Sequence, residues 1–204
     1  MDRIIIHWTA GTHKASATDL KHYHFIVEGD GNVVAGDLPP EANKSTSTPY
    51  MQHTRALNTG SIGVAIAAMH GAQERPFKAG KHPITQVQID AMAALCADLC
   101  ETYDIPVSRQ TVLTHAEVQP TLKVWQRGKW DVTWLPGMKT VGDPVEVGNT
   151  LRDMVRVELS KIPPQKTKAP APDPTPTIDT QPPTGGLWAA LAGILKAISM
   201  KFRQ

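Results

Sequence analysis

Two histidines and one aspartate stand where their side chains could share a metal ion. His7 ends an apolar run near the N-terminus, His115 follows a second short apolar run, and Asp131 closes the segment Lys129-Trp130-Asp131. Two imidazoles and a carboxylate are a ligand set typical of catalytic zinc, which keeps one coordination position open and promotes hydrolysis of amides. The sequence contains 8 histidines, so spacing alone leaves other pairs open as ligands.

Apolar runs bounded by turn residues predict the strands that would carry these side chains. The expected strands are Arg3–Trp8, Tyr23–Glu28, 33–35, Ser61–Met69 and 111–114. The turn Gly29-Asp30-Gly31-Asn32 should join the second and third strands in a hairpin, because glycine and aspartate accept positive φ angles. Residues 37–59 are expected to be irregular.

Two longer segments carry helix signals. Thr85 and Gln88 form a capping-box pattern, and apolar residues then recur at helical spacing as far as Tyr103. Asp143-Pro144 has the residue types that begin a helix, and the apolar periodicity continues to Leu159. Strands interleaved with helices predict an α/β fold with a mixed central β-sheet flanked by helices.

The C-terminal part differs in composition from the rest. Residues 163–183 are rich in proline and almost free of apolar residues, which predicts a linker over 163–186 after an α/β domain at 1–162. Residues 187–204 place apolar side chains on one stripe with only positive charges beside it, which predicts a cationic amphipathic helix. That helix either docks on the domain or on another copy, or contacts an anionic membrane or lipopolysaccharide.

Composition narrows the function classes. A formal charge of +2, from 21 basic and 19 acidic residues, does not favour a nucleic-acid partner. Cys96 and Cys100 lie on the apolar stripe of the predicted helix, so we expect them to pack in the core. The run Ile4-Ile5-Ile6 is too short for a signal-peptide core, so we expect the protein to start in the cytoplasm. No apolar run has the length of a transmembrane helix.

Several segments, in this order, resemble the amidase family that phage lysozyme-type amidases share with peptidoglycan recognition proteins. The chain looks most similar to endolysins of tailed phages or prophages of Gram-negative bacteria. Each segment alone is weakly specific, but together they run through most of residues 3–138 and form a specific signal. The segments are His7-Trp8-Thr9-Ala10, Tyr23-His24-Phe25-Ile26-Val27 with Asp30-Gly31, Asn58-Thr59-Gly60-Ser61-Ile62-Gly63-Val64, Thr114-His115-Ala116-Glu117-Val118 and Lys129-Trp130-Asp131.

The resemblance implies a zinc-dependent N-acetylmuramoyl-L-alanine amidase that acts on peptidoglycan. His7, His115 and Asp131 match the family's zinc ligands. Tyr23 matches a tyrosine that contacts water or substrate at the metal, and Lys129 matches a lysine thought to stabilise the oxyanion. The implied setting is host lysis: the protein would stay in the host cytoplasm until release and then act on the cell wall in the periplasm.

Two departures from the family pattern matter. Members related to the cytosolic recycling amidases carry a catalytic glutamate where this chain has Ala65, so the role of base would fall on Tyr23 with help from the metal. The loop between His115 and Asp131 looks long, and Asp131-Val132-Thr133-Trp134 replaces the usual Asp-Pro-Gly. The rival functions are a recycling amidase for soluble anhydro-muropeptides and a peptidoglycan-binding module without catalysis.

Some further side chains near the predicted site keep two interpretations each. Glu117 either orients a ligating histidine or is an exposed loop carboxylate. His24 and His53 are either structural or contact the substrate. The tryptophans of the later loop either pack against sugar rings or anchor the loop; they are Trp125, Trp130 and Trp134.

Overall fold

One mixed β-sheet lies at the centre of the computed structural model, which describes residues 1–163. The strands are Arg3–Trp8 (β1), Phe25–Val27 (β2), Val33–Ala35 (β3), Ser61–Ile66 (β4) and Val112–Thr114 (β5). Their order is β3-β2-β4-β1-β5. All neighbours are parallel except β2 and β3, which form the predicted antiparallel hairpin. The predicted fold class is confirmed.

Four α-helices and one 3₁₀ helix accompany the sheet within the described residues. They are Ala17–His22 (α1), Pro40–Lys44 (3₁₀), Gln86–Tyr103 (α2), His115–Leu122 (α3) and Pro144–Leu159 (α4). Thr85 and Gln88 form the predicted capping box at α2, and the Asp143 side chain accepts hydrogen bonds from two backbone N–H groups at the start of α4. Both caps satisfy backbone donors that a helix start leaves without a partner.

The side chains of strand β1 alternate between the two faces of the sheet. Ile4, Ile6 and Trp8 point into the main apolar core, whereas Ile5 belongs to a second, smaller cluster. Side chains alternate along a strand, so His7 shares the face of Ile5. Each fully buried isoleucine stabilises the fold by roughly 1.5–3 kcal/mol. The alternation therefore directs Ile4, Ile6 and Trp8 into the main core and places His7 on the opposite face, beside the smaller cluster of Ile5.

The main core lies where α2 and α4 pack together and cover one face of the sheet. Cys96 and Cys100 are buried there as free thiols, which confirms the predicted packing role. None of the helices described in residues 1–163 has the length and apolar character needed to cross a membrane. The predicted linker, from residue 164 onward, and the predicted helix at 187–204 lie outside the described residues.

Several predicted boundaries were wrong. The second strand begins at Phe25 rather than Tyr23, and β4 ends at Ile66 rather than Met69. Tyr23 is instead the C-cap residue that follows α1. The sequence analysis missed this helix although Ser16 and Asp19 form a capping box. The 3₁₀ helix interrupts the segment expected to be irregular.

The segment after His115 was expected to be a loop and is helical. His115 begins α3, and Thr114 and Glu117 form its capping box. Pro120 inside this short helix weakens its sequence signal, because proline removes a backbone donor. The Thr-x-x-Glu pattern was the signal that could have found α3.

Candidate metal centre

His7 and His115 meet because their strands are neighbours. Strand β1 pairs in parallel with β5, and Ile6 lies opposite Thr114; the next residue along the chain is His7 in β1 and, just after β5, His115 at the start of α3. The two imidazole rings have centroids 4.6 Å apart. Parallel pairing therefore places two residues that are distant in the sequence side by side, at the carboxyl ends of β1 and β5.

Asp131 completes the cluster from the loop after α3. Its Oδ2 lies 3.1 Å from Nδ1 of His115 and 3.5 Å from Nδ1 of His7. One ligand atom from each of the three residues lies within 4.8 Å of the other two, and all three side chains are buried. The structure thus brings together the set of donors that the sequence singled out.

The donor set fits a zinc ion. Nδ1 of His7 is buried and makes no hydrogen bond, although buried polar atoms almost always have a partner. Two imidazole nitrogens and a carboxylate oxygen are ligands that zinc accepts in catalytic sites. An ion between these three atoms would give the unpartnered nitrogen of His7 its missing contact.

Charge in the cluster suits ligation as well. Burial lowers the pKa of His7 from 6.5 to about 4, so its imidazole is neutral near pH 7. Burial alone would raise the pKa of Asp131, but the neighbouring His115 and His7 hold it well below its usual range. A neutral imidazole and an ionised carboxylate are the forms that bind metal.

Gln126 determines which nitrogen of His115 carries the proton, and the sequence analysis missed it. The amide nitrogen of Gln126, Nε2, can only donate, and it donates to the carbonyl oxygen of Arg55, 3.0 Å away. Its oxygen therefore faces Nε2 of His115, at 3.0 Å, and accepts from that nitrogen. With its proton on Nε2, His115 keeps Nδ1 as the ligand atom for a metal ion between it and Asp131.

Tyr23 lies against the cluster. Its ring centroid is 5.1 Å from that of His7, and its side chain packs beside Ile26 and Ala65. Burial, reinforced by the negative charge of Asp131, raises the pKa of the Tyr23 phenol above its usual value. The neutral phenol is thus a hydrogen-bond donor near pH 7.

Lys129 lines the open side of the site. It borders a cleft of about 480 Å³ together with His53, Arg55, His115 and Gln126. Its positive charge also contributes to lowering the pKa of His7. An ammonium group at this wall can counter negative charge that develops on a bound carbonyl.

Ala65, where the resemblance led us to expect a glutamate in a recycling amidase, lies beside the cluster. It pairs with His7 across β1 and β4 and is fully buried. Its methyl group packs with Ile26, so this position supplies apolar contact rather than a carboxylate.

Glu117 has neither of the roles that the sequence analysis offered. It is fully buried rather than exposed, and both of its carboxylate oxygens bind Arg152, at 2.9 and 3.1 Å. One of those oxygens also accepts from the backbone N–H of Thr114. The carboxylate holds the start of α3 in place instead of contacting the imidazole of His115.

Two of the three tryptophans of the loop anchor it, and packing of Trp125 against sugar rings stays a prediction. Trp130 packs edge-on against Trp8, with centroids 4.6 Å apart, and Trp134 is buried with its indole N–H donated to the carbonyl of Met138. Both anchor the loop that carries Asp131. Trp125 is 57% exposed, and the guanidinium groups of Arg55 and Arg127 lie over its ring.

The comparison with family models gives the clearest relationship. The model described as N-acetylmuramoyl-L-alanine amidase matches residues 1–137, which include the whole cluster. No curated protein sequence matches the chain.

Solved structures of similar proteins include both phage and bacterial enzymes. The amidase LysC from Clostridium intestinale is 18% identical, with a TM-score of 0.44 over 73% of this chain and 83% of LysC. The Ph2119 endolysin of a Thermus scotoductus bacteriophage is 20% identical, with a TM-score of 0.41 over 58% and 73% of the two chains. The amidase AmiD from E. coli is 24% identical, with a TM-score of 0.41 over 57% and 48%.

The family model covers well over half of the chain, and its match includes every residue of the cluster. The chain therefore belongs to the N-acetylmuramoyl-L-alanine amidase family and is an amide hydrolase of that kind.

Proposed function

We propose that this amidase is a zinc-dependent endolysin, which cleaves the amide between N-acetylmuramic acid and L-alanine in peptidoglycan and so lyses a phage's host. The observation that carries the zinc dependence is the buried cluster of His7, His115 and Asp131, whose ligand atoms lie within 4.8 Å of one another. The family supports the amide as the bond that is cut.

The residues around the cluster have complementary roles in the proposed reaction. A bound zinc ion would supply Lewis-acid polarisation and lower the pKa of water. Lys129, at the wall of the cleft, would stabilise the negative charge on the amide oxygen, an effect on the order of 100-fold in kcat. Because Tyr23 holds its proton on the buried phenol, it would donate a hydrogen bond at the reacting amide, rather than act as the base that the sequence suggested.

An endolysin, rather than a recycling amidase, is supported by two features of the chain. Ala65 lacks the carboxylate that the recycling amidases place beside the first ligand. The predicted cationic helix at 187–204, joined to the domain at 1–162 by the linker at 163–186, suits contact with an anionic membrane or lipopolysaccharide. The protein would remain in the host cytoplasm until release and then act in the periplasm.

Zinc content and amidase activity, measured together, test the metal assignment. Wild-type protein should hold about one zinc per chain and release new L-alanine N-termini from purified peptidoglycan. His115→Ala should lose both, because it removes a buried ligand. His22→Ala, which changes an exposed histidine of α1, is the matched control and should keep both. If His115→Ala kept metal and activity, the proposed site would be wrong.

Substrate choice separates the endolysin from its rival. Intact sacculi should be cut faster than soluble anhydro-muropeptides, and the reverse preference would indicate a recycling amidase. Deleting residues 187–204 should leave hydrolysis of purified peptidoglycan intact and weaken lysis of whole cells from outside. Unchanged lysis by the shortened protein would remove the membrane role.

A further inference from the structure

We propose that His53 is a positioning residue of the metal centre: it accepts a hydrogen bond from the Nε2–H of His7 and so leaves the Nδ1 lone pair of His7 for the metal. This inference rests on the proposed zinc function. Nδ1 of His53 lies 3.3 Å from Nε2 of His7, and both rings are buried. His53 comes from the loop before β4, far from His7 in the sequence.

The protonated nitrogen of His53 follows from its other neighbour. Nε2 of His53 lies 3.3 Å from the backbone carbonyl oxygen of Ser61, which can only accept. Nε2 therefore carries the hydrogen, and Nδ1 of the neutral ring has the lone pair. The amide nitrogen of Asn43 also lies 3.5 Å from Nε2 of His53, but its two hydrogens are directed to the nearer carbonyl oxygens of Met51 and Asn58, at 3.0 and 3.2 Å.

Thr54 acts in the same direction. Its hydroxyl oxygen lies 2.9 Å from Nδ1 of His53 and 3.4 Å from Nε2 of His7. An imidazole nitrogen has a single lone pair, so the Thr54 hydroxyl hydrogen and the N–H of His7 share that of His53 Nδ1, while Thr54 Oγ1 also accepts from His7. Both neighbours of His7 Nε2 thus act as acceptors for its proton.

The position of that proton decides whether His7 can be a ligand. A neutral imidazole has one N–H. The carboxylate of Asp131, 3.5 Å from Nδ1 of His7, favours the tautomer with this hydrogen on Nδ1, which could not bind a metal through that nitrogen. His53 and Thr54 offer the proton a place on Nε2 instead. The lone pair of Nδ1 is then free, as the outer hydrogen bond to a ligating histidine generally ensures.

The motif Asn58-Thr59-Gly60-Ser61-Ile62-Gly63 builds the place for His53. The side-chain oxygen of Asn58 accepts from the backbone N–H groups of His53 and Thr54, at 3.1 and 2.9 Å. Ser61 supplies the carbonyl described above. Gly63 leaves room for the ring, since a Cβ there would lie 2.6 Å from Cγ of His53. The motif therefore serves the metal centre without contributing a ligand.

Zinc affinity, measured by competition with a chromophoric chelator, tests this role without relying on activity. His53→Leu fills the space but removes the acceptor, and should weaken zinc binding by about 10- to 100-fold. His53→Asn places an amide oxygen near the position of Nδ1, and should stay within about fivefold of wild type. His24→Asn removes a buried neighbouring ring, 5.5 Å from His53, while its amide oxygen can still accept from the backbone N–H of Gly63, and it should leave the affinity unchanged.

Each outcome decides the matter. Wild-type affinity in His53→Leu would overturn the inference. Equal losses in the Leu and Asn variants would overturn it too, because the restored acceptor would then make no difference. If His53→Leu does not fold, His53→Asn decides by keeping or losing affinity. A wild-type protein without zinc would overturn the proposed function and this inference with it, whereas zinc binding that ignores His53 would overturn the inference alone.

Discussion

The ion pair between Glu117 and Arg152 joins the start of α3 to α4 just beside the metal centre. The side chains are 0% and 1% exposed, and the guanidinium donates to both carboxylate oxygens. Arg152 also donates to the carbonyl of Val112, at the beginning of β5, and to the side chain of Asn149. One guanidinium therefore fixes the strand and the helix that meet at His115.

Arg152→Met should lower the free energy of unfolding by about 3–5 kcal/mol, because it leaves the carboxylate of Glu117 buried without its partner. For a domain of this size the midpoint of thermal unfolding should fall by roughly 6–20 °C. The double variant Glu117→Gln with Arg152→Met should recover about half of the loss or more, since the glutamine removes the buried charge. Its amide oxygen can still accept from the N–H of Thr114.

The pH dependence of the stability loss in Arg152→Met tests whether the buried charge of Glu117 causes it. Burial raises the pKa of Glu117 even with Arg152 present, and removing the guanidinium should raise it further. When the pKa of a carboxyl group is higher in the folded protein than in the unfolded chain, its ionised form destabilises the folded protein. This destabilisation decreases as the pH falls toward the pKa of the unfolded chain. The deficit of Arg152→Met in chemical denaturation should therefore shrink from pH 7 to pH 5. A deficit below about 1 kcal/mol, or one that does not change with pH, would refute this account of the pair.

Three other variants probe the site and its surroundings. Gln126→Leu should weaken zinc binding by about 10-fold or more in a chelator competition. Gln126→Glu keeps an acceptor for His115 and should bind zinc well. Equal zinc affinities of these two variants would contradict the assigned tautomer of His115. Burial lowers the pKa of His24 from 6.5 to about 4, so the unfolded chain binds a proton that the folded protein excludes. The metal-free protein should lose about 3 kcal/mol through this group as pH falls from 6.5 to 4, and His24→Asn should lose correspondingly less; identical pH profiles in denaturant melts would count against this. Trp125→Ala should raise the KM for peptidoglycan severalfold and leave the melting temperature unchanged, since the ring is 57% exposed; a clear loss of stability would instead make Trp125 a loop anchor.

Local sequence patterns predicted much of the fold because they reflect short-range physics. The β-branched run of β1 and the capping box at Thr85 both act through neighbouring residues, and both elements begin where expected. The capping boxes at Ser16 and Thr114 carried the same kind of signal for α1 and α3. Those helices were missed because they are short, with few apolar repeats to support the caps.

The side chains that support the candidate ligands could not be predicted in the same way. Gln126 sits in a loop, and nothing in its neighbourhood in the sequence indicates that it faces His115. Glu117 follows His115 closely in the sequence yet pairs with Arg152 on another helix. Hydrogen-bond partners of this kind depend on which elements pack together, and sequence spacing does not encode that.

By itself, the sequence determined the donor types, the β1 strand that carries His7 and the order of motifs that marks the family. Tertiary structure alone decided that His7 and His115 lie side by side, since that depends on the parallel pairing of Ile6 with Thr114. It also decided which imidazole nitrogens carry protons, through acceptors brought from distant loops. The physical reason is that a lone pair can be directed only by atoms within hydrogen-bonding distance, and in this site those atoms come together only when the chain has folded.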